Sequence, residues 1–257
     1  MSIDSKIDKA SRKFKFVSKS KKLKFRYLPD WVLSEATYFE KEVTGQLRNH
    51  KIYKRGSLVF IDFGVNVGNE LSGHHFGIVL NKKDSKRNGV LTVVPVSSKS
   101  NKFSVQLDGI ISQKSSKYLR DSLIDIEIDR KILILHKIKD NLTEDEKCEI
   151  TRTYSLDNTS WTNHHKYITS DDFEKSIRNI SQELDELRLV INSYSKFDKI
   201  SYAKCLDVRT ISKNRIIKIN QFDPVGKISV STETLDKIDQ VITQNFTNIS
   251  LDSNSER

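Results

Sequence analysis

The sequence contains few of the residues that define several common protein classes. With 2 Cys, 3 Pro and 9 Gly in 257 residues, it is neither a disulfide scaffold nor a collagen-like or Pro/Gly low-complexity chain. No stretch approaches the ~20 consecutive apolar residues of a membrane-spanning helix. The N-terminus has no apolar signal core. We therefore expect a cytoplasmic protein with reduced cysteines and no membrane association.

Signatures of the common cofactor enzymes and hydrolases are also missing. Cys148 and Cys205 are far apart, and no His pair has the spacing of metal ligands on a helix. The sequence has no phosphate-binding Gly-rich loop and no G-x-S-x-G motif. These absences predict a protein that uses no metal ion and no cofactor.

Positive charge is concentrated at the N-terminus. The chain carries a net charge of +10, and residues 1–30 hold ten Lys and Arg against three Asp. Aromatic residues, such as Phe14 and Tyr27, alternate with these cations. Cations neutralise phosphates and rings stack on bases, so the arm suits nucleic acid. A solvated, partly disordered tail is the other interpretation.

Hydrophobic periodicity predicts the secondary structure up to residue 108. Apolar residues spaced by three or four predict an amphipathic helix at 31–48. Short β-rich runs separated by turns predict an antiparallel sheet or small barrel. The predicted strands lie at 57–63, 76–80, 90–96 and 103–107.

The region 110–200 has a different character. It contains strand-like runs at 122–128 and 131–136, and then a helix-capping motif, Thr143-x-x-Glu146. A regular apolar stripe from Phe173 to Tyr194 predicts a long helix, which packs on the chain's own sheet or on the 31–48 helix, or forms a coiled-coil seam.

Beyond residue 200, the pattern predicts strands and one last helix. The strands are expected around 202–209 and 215–219, and the helix at 231–246.

Several segments together resemble the PemK/MazF family of toxin endoribonucleases. They are an Arg55-Gly56 start, an apolar strand ending in Asp62-Phe63, a Gly-x-Glu-x-x-Gly loop at 68–73, and Pro95-Val-Ser97. A later block reads Asp207-Val-Arg-Thr-Ile-Ser-Lys-Asn-Arg215 and precedes the C-terminal helix. The resemblance covers roughly 55–108 and 201–244.

The resemblance implies a fold and a domain organisation. The expected fold is α+β, with a small antiparallel SH3-like β-barrel core and flanking helices. Residues 1–50 form a basic arm and amphipathic helix. Residues 51–257 form the barrel domain, interrupted by a helical insertion at about 110–200.

It also implies an activity and partners. The family cleaves single-stranded RNA selectively and without metal, by attack of the 2′-OH to leave 2′,3′-cyclic phosphate and 5′-OH ends. It usually forms homodimers, and a cognate antitoxin protein often blocks the RNA groove.

The residues that match the family's site are carried over one by one. His75 stands where the family has its catalytic Arg, and Ser97 where it has a Thr or Ser. Adjacent strand residues face opposite sides, so only His75 of the His74-His75 pair is expected to reach the phosphate. The expected substrate-binding residues are Arg55, Glu70, Lys204, Asp207 and Arg209.

The replacement of Arg by His75 leaves two functions open. An imidazole can serve as acid or base in RNA transesterification, which predicts an active enzyme. Loss of a permanent cation instead predicts a non-catalytic regulator that binds RNA or DNA, or titrates a partner toxin.

Overall fold

The computed structural model describes residues 2–45, 50–138, 143, 145 and 170–249. The helices are α1 (Ile3–Val17), α2 (Leu28–Val43), α3 (Ile111–Ile138), α4 (Ser170–Ser195) and α5 (Thr232–Phe246). The strands are β1 (Leu58–Asp62), β2 (His74–Val79), β3 (Val90–Ser97), β4 (Ser104–Gln106), β5 (Tyr202–Lys204) and β6 (Arg209–Ser212). Two 3-10 helices span Leu23–Tyr27 and Lys213–Arg215.

These elements belong to two compact units. The first comprises the described residues of 1–110, 199–218 and 225–257, and the second those of 111–198 and 219–224. The first unit holds the whole sheet and all the predicted site residues. In the part of the chain that is described, no helix is long and apolar enough to cross a membrane.

The sheet of the first unit is antiparallel throughout. Its strand order is β1-β2-β3-β5-β4, and β6 also pairs with β3. The inward residues of β1 to β3, such as Leu58, Ile78 and Val93, are fully buried. Their near-continuous apolar runs form the core of the unit. The predicted α+β class and the strands before residue 108 are confirmed.

The sheet is open, whereas the sequence analysis predicted a closed barrel. The strands β4, β5 and β6 are only three or four residues long, too short to carry the sheet round to β1. Irregular chain covers the outer edge of β1 instead. The backbone of β1 hydrogen-bonds to the backbone of Ile217, Gly226 and Ile228, so this edge is not left unpaired.

A buried ion pair fixes the loop between β2 and β3. Lys213 Nζ lies 2.8 Å from both carboxylate oxygens of Asp84, and the two side chains are 3% and 0% exposed. The same ammonium donates to the carbonyl oxygens of Lys51 and Ser85. The buried ammonium therefore has four oxygen acceptors around it, and its charge is compensated inside the protein.

The basic N-terminal region is helical. Ser2 caps α1, and its hydroxyl accepts a hydrogen bond from the Ser5 N–H. The predicted helix at 31–48 is confirmed as α2, which starts earlier because Pro29 occupies its first turn. We call Leu23–Ser34 the N-terminal segment, since it borders the candidate site.

The second unit is built on a helix pair. Leu119 and Ile126 of α3 and Leu187 and Val190 of α4 are buried, and the Ser112 N–H donates to the carbonyl oxygen of Phe197. The strands predicted at 122–128 and 131–136 are therefore wrong, because these residues continue α3. The predicted long helix is confirmed. Within the second unit it packs on α3.

The C-terminal region agrees with the prediction in part. The helix predicted at 231–246 is α5, and the Ser231 hydroxyl accepts from the Thr234 N–H as its cap. The strand predicted at 215–219 is wrong, since β6 ends at Ser212 and a 3-10 helix follows. The helix-capping motif predicted at Thr143-x-x-Glu146 cannot be compared, because Glu146 lies outside the described residues.

Candidate active site

The loop 64–73 joins β1 to β2 and is held by its own hydrogen bonds. Asn66 Nδ2 donates to the carbonyl oxygens of Phe63 and Leu71, and the Asn66 N–H donates to Ser72 Oγ. Gly64 and Gly73 adopt positive φ angles and pair across the base of the loop. The loop held in this way leads directly into β2, where both histidines lie.

His75 lies half-buried beside this loop. Its Nε2 is 3.1 Å from the carbonyl oxygen of Ser72. Burial lowers the pKa of His75 below its usual 6.5, and this outweighs the nearby backbone groups of Ser72 and Val96, which favour the protonated ring. The imidazole is therefore mostly neutral at pH 7.

Ser97 lies at the end of β3 near His75. The register of β2 with β3 pairs Gly77 with Pro95, and from there the strands run toward His75 and Ser97. Continued by two residues, the same register would set His75 opposite Ser97. Ser97 Oγ accepts from the Lys99 N–H at 3.2 Å, which leaves its own proton available to donate.

His74 is oriented by a buried carboxylate. Its Nε2 lies 3.5 Å from Asp62 Oδ1, and the two side chains are 57% and 8% exposed. Asp62 Oδ1 also accepts from the Gly64 N–H, and Oδ2 lies 3.5 Å from the Tyr38 hydroxyl. The exposed imidazole of His74 is therefore held in place by a buried carboxylate.

Both histidines border one cavity of about 510 Å³, which we call the histidine cavity. One wall comes from the start of β2 and the loop before it, and the other from the N-terminal segment. The expectation that only His75 of the pair reaches the phosphate stays a prediction, although both histidines border this cavity. The strand begins at His74, and the cavity wraps around that end so that both sides of the strand border it.

A second cavity, also of about 510 Å³, lies at the other side of the loop. We call it the arginine groove. It is lined by Phe63, Asn66, Glu70, Asp207, Arg209 and Arg215, among others. Arg209 Nη1 donates weakly to the Leu71 carbonyl oxygen at 3.4 Å. The groove offers two guanidinium groups to an anion.

Arg215 connects the two cavities. Its Nε donates to the Asp62 carbonyl oxygen at 2.8 Å, and its guanidinium lies 4.7 Å over the Trp31 ring. Within the described residues, its buried Nη2 has no hydrogen-bond partner. The side chain therefore ties the arginine groove to the wall of the histidine cavity.

One family model matches part of the chain. Residues 54–157 match the model of a family described as the PemK-like, MazF-like toxin of type II toxin-antitoxin systems. Through this segment, the chain is similar to the PemK/MazF family. No curated protein matches the chain.

The PemK/MazF match begins at β1 and includes both histidines and Ser97. It continues through α3, which the sequence analysis had assigned to an insertion. The N-terminal segment and the block 207–215, which also borders the site, lie outside the matched residues. The matched family is one of toxins of type II toxin-antitoxin systems.

The structure brings together only part of the predicted PemK/MazF site. Glu70, Asp207 and Arg209 line the arginine groove. Lys204 lies at the end of β5, two strand positions from Tyr202, which pairs with Ser97. Arg55 lies elsewhere: its guanidinium donates to the Leu80 carbonyl oxygen and pairs with Asp239 of α5.

Sequence reasoning missed two residues of the histidine cavity. It places Asp62 in an apolar strand and Trp31 in an amphipathic helix, but assigns neither Asp62 to His74 nor Trp31 to the cavity wall. A buried acidic residue at the end of an apolar strand was the one available signal. Nothing in the sequence pairs residue 31 with residue 64, because that contact is long-range.

No cluster of three or more His, Cys, Asp or Glu side chains is placed to hold a metal ion among the described residues. Cys205 is buried, and burial raises its pKa to about 11. At neutral pH it is a thiol without access to substrate.

Proposed function

We propose that the chain is a metal-independent endoribonuclease toxin that cleaves single-stranded RNA selectively. The 2′-oxygen attacks the adjacent phosphorus, the bond from phosphorus to the 5′-oxygen breaks, and 2′,3′-cyclic phosphate and 5′-OH ends result. The family match supports this reading. The observation that carries it is the register of β2 with β3, which leads from the Gly77–Pro95 pair to His75 on one strand and Ser97 on the other.

In this proposal the three polar side chains divide the work. His75, mostly neutral at pH 7, accepts the proton of the 2′-OH. Ser97 donates a hydrogen bond to a non-bridging phosphoryl oxygen, where charge develops. His74, held beside Asp62, donates a proton to the departing 5′-oxygen.

The arginine groove then holds the neighbouring RNA backbone. Arg209 binds a phosphate, and Glu70 and Asp207 accept hydrogen bonds from ribose hydroxyls or bases. Lys204, at the end of β5, adds a further cation for the RNA backbone. Arg55 is engaged with α5, so we assign it to stability.

Kinetics of matched variants test this proposal. His75→Ala and Ser97→Ala should each lower kcat/KM for a cleavable RNA by about a hundredfold or more, while affinity for that RNA persists. The controls are His50→Ala, which borders a separate cavity, and Ser98→Ala, which is exposed beside Ser97. Activity of the first pair equal to that of the controls would end the proposal.

A non-catalytic regulator is the second candidate. The observation that favours it is the engagement of His75 Nε2 by the carbonyl oxygen of Ser72, which limits the access of that nitrogen to a substrate proton. Such a protein would bind RNA or DNA, or titrate a partner toxin. Salt-sensitive RNA binding without cleavage, at several pH values and with several sequences, would establish it.

The family also implies partners. We infer that a cognate antitoxin binds this chain and that the chain forms a homodimer. Light scattering of the pure protein tests the second point: a dimer has about twice the chain mass of 29.7 kDa. A particle of 29.7 kDa with full activity would remove the dimer.

A further inference from the structure

One wall of the histidine cavity comes from a part of the chain that the family match does not include. Lys24, Tyr27, Trp31 and Ser34 border the cavity opposite His74 and His75. These four residues lie in the N-terminal segment, and the match begins only at residue 54. The wall is therefore an addition of this chain to the matched segment.

Specific contacts fix this wall in place. Lys24 Nζ donates to the carbonyl oxygens of Gly68 and Asn66, at 2.7 and 3.1 Å. The Trp31 ring lies so close to Gly64 that a Cβ there would come within 2.4 Å of it. Arg215 covers the Trp31 ring at 4.7 Å. The segment is thus anchored to the loop that carries the histidines.

The chemistry of the cavity matches a planar, partly apolar ligand. Its volume of about 510 Å³ is in the range of small-molecule sites. Two aromatic side chains, Tyr27 and Trp31, contribute to an apolar lining, and the hydroxyls of Ser34 and Ser72 lie at its border. Sequence-selective proteins hold unpaired RNA bases in such sites, with rings against the base and polar groups at its edge.

We propose that the histidine cavity binds one unpaired nucleobase of the RNA substrate, beside the phosphate that is cleaved. Tyr27 and Trp31 supply the apolar wall against which the base lies, and the Ser34 hydroxyl bonds its edge. The proposal rests on the proposed function, because the base belongs to the RNA that His75 and Ser97 act on. The N-terminal segment then contributes to RNA selectivity.

A binding measurement tests the cavity without cleavage. Trp31 and Trp161 are the two tryptophans of the chain, so Trp161→Phe leaves Trp31 as the only tryptophan reporter. The probes are RNA hexamers of mixed sequence with 2′-O-methyl groups, which have no attacking hydroxyl. We expect saturable quenching of Trp31 fluorescence.

Two further variants locate the binding. Ser34→Phe fills the cavity and should weaken the quenching at least tenfold, while Ala36→Phe, on an exposed position of the same helix, should not change it. Tyr27→Leu removes a ring that is 59% exposed and should weaken binding without harm to folding. Equal affinity in all of these variants would overturn the proposal.

Cleavage of unmodified RNA separates this inference from the proposed function. If Ser34→Phe cleaves RNA with unchanged rate and sequence preference, the base site is refuted and the nuclease stands. If Ser34→Phe cleaves faster, the segment covers the site instead of serving it, and the proposal also fails. If the wild-type chain cleaves nothing yet the Trp31 quenching behaves as expected, the base site stands and the nuclease falls.

Discussion

The Nε2 atom of His75 lies 3.1 Å from the carbonyl oxygen of Ser72. This contact and burial have opposite effects on the ring: the carbonyl favours the imidazolium, while burial disfavours it more strongly and lowers the pKa below 6.5. A base acts only while it is deprotonated. The position of His75 therefore predicts how the rate of RNA cleavage depends on pH.

We expect kcat/KM for RNA cleavage to fall on the acid side of neutrality. The apparent midpoint should lie below 6.5, because His75 must lose its proton before it can accept one. The measurement is a pH series of initial rates for wild-type protein and for the His50→Ala control. A midpoint above 6.5, or a rate that does not change in acid, would contradict the assigned role.

The two arginines that the family resemblance selected should behave differently. Arg209→Gln should weaken RNA binding and reduce the slope of log affinity against log salt by about one, because it removes a phosphate contact. Arg55→Gln should leave that slope unchanged and lower the free energy of unfolding by about 1 kcal/mol, since its partners are Leu80 and Asp239. The reverse pattern would show that Arg55 is the RNA ligand.

Gly64 and Gly68 offer a matched test of the N-terminal segment. Both have positive φ angles, of 73° and 60°, so alanine carries a similar backbone cost of about 1 kcal/mol at each. A Cβ at Gly68 meets open space, whereas one at Gly64 meets the Trp31 ring. Urea unfolding should show a larger loss for Gly64→Ala, together with a change in Trp31 fluorescence. Equal losses would mean that Trp31 is not packed there.

The buried pair of Asp84 and Lys213 should be expensive to break. Lys213→Met leaves the Asp84 carboxylate without its cation and should lower the free energy of unfolding by about 3–5 kcal/mol at pH 7. The double variant with Asp84→Asn should recover much of that loss. Urea unfolding measures both, with the exposed Asp236→Asn as control.

The same pair predicts a pH dependence. Burial alone would raise the pKa of Asp84, but hydrogen bonds from Lys213, Tyr53 and Ser85 hold it below 3.8. Its contribution to stability is therefore present above pH 3.8 and is lost as the pH falls through the lower, folded value. The cost of Asp84→Asn should shrink in that range, and an unchanged cost would contradict the assignment.

The sequence predicted local elements well wherever one pattern dominated. Apolar runs such as Leu58–Asp62 became buried strands, and the spacing around Leu235 and Ile238 became α5. Residues 122–136 misled because their β-branched side chains favour strands, while packing of Leu119 and Ile126 against α4 stabilises a helix. Tertiary contacts outweighed local propensity there.

Only some residues of the candidate site could be predicted, namely those that short sequence motifs mark. The resemblance selected His75, Ser97, Glu70 and Arg209 from the order of short motifs, and the last two do share the arginine groove. The contacts of Trp31 with Gly64 and of Arg215 with Trp31 join distant parts of the chain. No periodicity or motif encodes such contacts, so the wall of the histidine cavity emerged only from the structure.

The most direct test of the account is the chemistry of RNA ends. Pure protein would be incubated with mixed-sequence RNA in EDTA, and the masses of the fragments would be determined. The account predicts fragments that end in 2′,3′-cyclic phosphate and begin with 5′-OH, absent with His75→Ala and Ser97→Ala. Intact RNA, or fragments that the two variants still release, would contradict it.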